Sequence, residues 1–88
     1  MDTHINENEL SNYQPLTAEE QDIKIRLYDE LLAVMDLSLI ETVSKEQAKA
    51  QITEISEKIL VDLQLPINLS TRKRLVKLII DEVLGLGP

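Results

Sequence analysis

Eighty-eight residues, 43% of them hydrophobic, suffice for one domain but not for a second independent core. The chain has no cysteine, which excludes a disulfide framework and a thiolate metal site and suits a reducing cytosol. Sixteen acidic against nine basic residues give a net charge of −7, which repels phosphate backbones and anionic headgroups over most of the surface and disfavours nucleic acid and membrane as partners.

Residues 1–16 are polar and acidic, with Ile5, Leu10 and Tyr13 at no helical or strand period. They cannot bury enough apolar surface to offset their ordering entropy, so a disordered acidic tail is expected there. Met1-Asp2-Thr3-His4 has neither the basic start nor the apolar middle of a signal peptide. The longest apolar runs are a few residues, far short of the roughly 20 needed to cross a bilayer, and the expected location is cytoplasmic.

Thr17 and Glu20 have the spacing of a capping box, so a first helix starts there and runs to about Met35. Its apolar positions Ile23, Leu27, Leu31, Val34 and Met35 recur at three and four, which puts them on one face. Ile25, Tyr28 and Leu32 form a second stripe, expected to be covered by the segment from Leu37 to Val43, whose Asp36 to Glu41 part reads as a short extra turn. Ser44 and Gln47 repeat the capping box before a second helix from about Lys45 to Leu63, with Ala48, Ile52, Ile55, Ile59 and Leu63 as its core stripe. Pro66 cannot continue that helix. Asn68 or Ser70 caps a third, with Leu69, Val76, Ile79, Ile80 and Val83 on one face and Gly85 as its stop. No alternating run is long enough to argue for a sheet. The expected fold is all-α: a three-helix bundle over 17–84 with a short extra helical turn, and 85–88 as the start of a linker.

Catalysis needs a nucleophile beside a base, a metal with ligands, or a phosphate-cradling loop. The single histidine, His4, lies in the tail, and Gly85 and Gly87 alone cannot build GxxxxGK[ST] or GxGxxG. Asp81 and Glu82 are adjacent, and helical neighbours point about 100° apart, too far to flank one substrate atom. No catalytic, metal-binding or cofactor-binding residue is therefore assigned.

The sharpest departure from the acidic mean is the basic cluster Arg72, Lys73, Arg74 and Lys77. Positive charge at the start of a helix and Asp81 and Glu82 at its end reverse what the macrodipole favours, so helix stability does not account for them. Pairing with an antiparallel neighbour, Asp62 for example, accounts for part. Leu78 sits about 150° from the centre of the third helix's stripe and Val61 is similarly placed on the second, so both are expected to face outward. Arg72, Lys73, Arg74, Leu75, Lys77 and Leu78 are accordingly the candidate partner-binding residues.

The stretches Leu65-Pro66-Ile67-Asn68, Arg72-Lys73-Arg74-Leu75-Val76 and Ile80-Asp81-Glu82-Val83-Leu84-Gly85-Leu86-Gly87-Pro88 resemble the segment leading into CpaF-type secretion ATPases of the tight-adherence (Tad/Flp) pilus, of the type II/IV secretion ATPase family. Leu27-Tyr28-Asp29-Glu30 and Met35-Asp36-Leu37-Ser38 fit the same family's N-terminal helical region. The resemblance covers about residues 20–88, the closing DEVLGLGP being its most specific part. It implies an accessory domain of a longer protein that continues into a second N-terminal domain and a RecA-like ATPase core. The parent is expected to be a cytoplasmic homo-hexamer, peripheral at the inner membrane, that drives pilus assembly at platform proteins. The domain's partners would then be the ATPase region of its own or a neighbouring subunit, or those platform proteins. No family catalytic residue maps onto these positions. Two other classes remain: a helix-turn-helix-like nucleic-acid binder using the third helix, and a free-standing helical adaptor.

Overall fold

Both halves of the first capping box are made. Thr17 Oγ1 accepts from the Glu20 N–H at 3.0 Å while Glu20 Oε1 accepts from the Thr17 N–H at 2.9 Å, and helix α1 follows over Ala18–Val34. The computed structural model describes residues 15–85. The expected tail and linker thus fall outside the described residues, apart from Pro15, Leu16 and Gly85. Leu16 corrects the tail boundary, because its side chain is half-buried and packs against the core.

A 3-10 helix spans Leu37–Thr42 and is capped by Asp36, whose Oδ1 accepts from the Ser38 N–H at 3.0 Å and the Ser38 hydroxyl at 2.6 Å. Helix α2 covers Lys45–Leu63 behind a second complete box of Ser44 and Gln47. Gln64 ends it in the left-handed region at φ 52, an uncommon conformation for a non-glycine residue, and Pro66 bars any continuation. Helix α3 covers Leu69–Leu84, with Asn68 Oδ1 accepting from the Thr71 N–H at 2.7 Å, so Asn68 and not Ser70 is the cap. Gly85 closes α3 at φ 68. A Cβ there would meet nothing within 4 Å, so glycine serves the backbone angle and not the space. There is no strand among the described residues, and the three main helices pack on one another as an all-α bundle.

The core consists of Leu27 and Leu31 from α1, Ile40 from the 3-10 helix, Ala48, Ile52 and Leu60 from α2, and Leu75, Val76 and Ile79 from α3. Several sequence expectations shift here, each for a geometric reason. On α2 the central row is Ala48, Ile52, Ser56 and Leu60, four apart throughout, with Ile55, Ile59 and Leu63 only half-buried. A fully buried serine interrupts the apolar row, so a reading that follows apolar residues alone slips one position to Ile55, about 100° round the helix. Val34 and Leu69 stand at the end of α1 and the start of α3, and both are exposed.

The second stripe of α1 is not covered: Ile25 is 51% and Leu32 41% exposed, with only Tyr28 half-buried. The 3-10 helix directs Leu37, Ile40 and Val43 elsewhere, toward Ala48 at the start of α2 and Val83 and Leu84 at the end of α3, around an open cleft of about 510 Å³.

Candidate interaction site

Helix α3 packs against two neighbours, and this divides the six candidate residues. Leu75 is corrected outright: it is fully buried in the core and presents nothing to a partner. Leu75, Leu78 and Glu82 share one side of the helix, and Glu82 reaches α1, where Lys24 Nζ lies 3.4 Å from its Oε1. Leu78 is therefore half-buried where an outward position was expected. A single-stripe reading misses this, because a helix wedged between two others buries a wider arc than a helix with one partner.

Arg72 turns toward α2, its Nη1 3.7 Å from Glu57 Oε2, with Nε buried and without a hydrogen-bond partner. Glu57, and not Asp62, is the acidic group that answers the start of α3. Lys77 pairs within α3, its Nζ 3.2 Å from Asp81 Oδ2 one turn on. These three contacts account for much of the reversed charge order on α3: its acidic end serves Lys24 and Lys77, and its basic start serves Glu57. All are partly solvated, and such pairs contribute little to stability, so they organise charge more than they hold the fold.

What faces outward is narrower and includes residues that the sequence did not single out. Lys73 and Lys77 form one edge of an open cleft of about 390 Å³ between α2 and α3; Lys49 and Thr53 form the other edge, and Val76 and Ile80 the floor. Glu57 and Asp81 also line it, but each is engaged, by Arg72 and Lys77 respectively. Among the described residues Lys49 and Lys73 make no ion pair. Lys49, Thr53 and Glu57 fall four apart, which put them on one row of α2, but only the antiparallel register of α2 on α3 brings that row beside Lys73 and Lys77. Arg74 and Leu78 lie on a different row, away from this cleft.

A second cleft of about 270 Å³ lies where α1 meets the end of α3, lined by Gln21, Lys24, Ile25, Tyr28, Asp29 and Glu82. It adjoins the exposed stripe of Ile25, Tyr28 and Leu32. Among the described residues there is no group of three or more His, Asp or Glu side chains placed to hold a metal ion, and no helix long and apolar enough to cross a membrane. Comparison with known proteins finds no matching family model, curated protein or solved structure.

Proposed function

We propose that this chain is a contact module, the accessory N-terminal helical domain of a tight-adherence pilus-assembly ATPase, which holds protein partners in position and performs no chemistry itself. One observation carries the reading. The most specific part of the resemblance runs along one continuous stretch of chain, from the Leu65-Pro66-Ile67-Asn68 entry through α3 to the DEVLGLGP close. In this reading the nucleotide chemistry belongs to an ATPase core in the parent protein, a homo-hexamer at the cytoplasmic face of the inner membrane. The partners are that core, in the same or a neighbouring subunit, or the platform proteins. Exposed apolar residues beside charged rims suit protein contact, because apolar area supplies affinity and the charges set register.

A nucleic-acid reading rests on the same basic cluster, but Arg72 and Lys77 already answer Glu57 and Asp81, and the charges that remain sit on a chain of net charge −7 that repels a phosphate backbone. Two measurements test the proposal. The reading frame past Pro88 is expected to continue into a phosphate loop of the GxxxxGK[ST] kind, and an immediate stop codon overturns the ATPase assignment. Titration with duplex DNA at low and moderate salt is expected to show no binding; binding that falls steeply with salt transfers the function to nucleic acid.

A further inference from the structure

We infer that the chain associates head to tail with a second copy of itself, the exposed α1 stripe of one copy docking into the α2–α3 cleft of the next. The inference rests on the reading of the chain as a contact module, though not on its assignment to an ATPase.

The stripe is apolar beside unpaired acidic groups, and the cleft is apolar beside unpaired basic ones. Ile25 and Leu32 lie within about 20° of one another around α1, and Tyr28 is about 60° from Ile25, so the three form a ridge of two turns. Asp22 and Asp29 run beside that ridge, about 10 Å apart along the axis. Both are exposed, and neither makes an ion pair among the described residues. Arg26 lies roughly 60° further round, away from the ridge. The cleft offers the converse: an apolar floor of Val76 and Ile80 between Lys49 on one edge and Lys73 and Lys77 on the other. Two unanswered carboxylates run along one side of the ridge, its other side carrying Lys24 already paired with Glu82. Two unanswered ammonium groups, those of Lys49 and Lys73, stand on the two edges of the floor, so the match is of an acidic row to a basic rim. In a chain of net charge −7 this cleft is a rare place where an acidic surface is welcome, and every copy of the chain carries such a surface.

The two faces are also separate. Glu82, beside the stripe, and Lys77, on the cleft, are about 140° apart around α3, so one copy can use both at once. A contact between two different faces is heterologous, and it propagates into a ring when the rotation closes and into an open chain when it does not. One helix face in one groove buries less than the roughly 1,200 Å² of a stable complex, so the association is weak and concentration-dependent.

The test uses the 88-residue chain in sedimentation equilibrium between about 10 µM and about 1 mM, where an interface of this size registers. Wild type is expected to self-associate, and less so at high salt. A groove variant, Lys49→Glu with Lys73→Glu, and a stripe variant, Asp22→Lys with Asp29→Lys, are each expected to weaken association about tenfold. Mixed in equal amounts the two should recover it, because each reversed face then meets its complement. All four positions are exposed, and circular dichroism checks that the helices persist; Leu32→Asp supplies an independent break if either double variant fails to fold. Four outcomes overturn the inference: a monomeric wild type, association indifferent to salt, reversals without effect, or reversals that a mixture does not rescue. A monomeric wild type leaves the reading above standing, since that reading is tested by the reading frame and by DNA.

Discussion

Helices α1 and α3 are both rich in apolar residues but present them in opposite ways. Helix α3 lies against α1 on one side and α2 on the other and buries Leu75, Val76 and Ile79 between them, so its large apolar residues are covered except Leu69 at the very start. Helix α1 buries Leu27 and Leu31 and leaves Ile25, Leu32 and Val34 exposed. Apolar spacing thus shows that a face exists, but the number of neighbours decides whether it is covered. An uncovered apolar face on a small domain is a cost to solubility, and the proposed contact role would account for it.

The largest effects should divide the two helices along that line. Leu75→Ala, Ile79→Ala or Leu31→Ala removes a side chain fully enclosed by the core, and each is expected to destabilise the fold by about 2–5 kcal/mol, a large share of what a chain this short has. Leu32→Ala and Ile25→Ala, chemically similar truncations on the stripe, should stay within about 0.5 kcal/mol. Urea denaturation followed by circular dichroism measures all five. A loss above about 2 kcal/mol at Leu32 or Ile25 would mean that the stripe is part of the core, and the contrast between the helices would disappear.

The exits of the helices give the next contrast. Helix α3 leaves through Gly85 in the left-handed region, whereas α2 leaves through Gln64 in the same region without the benefit of glycine. Gly85→Ala is expected to cost about 1–2 kcal/mol from backbone strain alone, since no neighbouring atom would clash with the added methyl. Gln64→Gly should act in the opposite direction, gaining up to about 1 kcal/mol as the same strain is relieved, less what the freer unfolded chain takes back. Opposite signs in thermal denaturation are the result to look for; equal signs would show that side-chain contacts and not φ dominate at one of these exits.

Much of this architecture was legible in the residues, and the parts that were not share a cause. Thr17, Ser44, Asn68 and Gly85 act locally through hydrogen bonds or backbone angles, and such signals survive without knowledge of the tertiary fold. The bounds of α2 coincide with those expected for this reason. Ser56 was missed because burial of a hydroxyl follows from position and not from hydrophobicity. Leu75 stands among the partner-binding candidates and Leu78 among the outward positions because one stripe drawn through α3 is too narrow where two packing partners demand a wider arc. The cleft pairing Lys49 with Lys73 and Lys77 depends on how α2 registers against α3, which no spacing within either helix encodes.

The exit of α1 offers the smallest effect and the finest distinction from α3. No glycine ends this helix; the chain straightens at Met35 and turns at Asp36, whose carboxylate accepts from both the hydroxyl and the N–H of Ser38. Those two donors favour the ionised carboxylate, the hydroxyl more strongly, and hold the Asp36 pKa below its ordinary value. With the folded pKa depressed, the turn's contribution is fully present above the ordinary carboxylate range and fades as the pH falls through the lowered value. Ser38→Ala removes the larger cause and leaves the N–H, so the Asp36 pKa should rise toward normal and the acid limb of the stability curve should move to higher pH. Carbon-detected NMR titration of the Asp36 carboxyl reads this directly. A pKa that stays put in Ser38→Ala would assign the turn to backbone geometry, and α1 would then end as α3 does, by dihedral angle and not by side-chain chemistry.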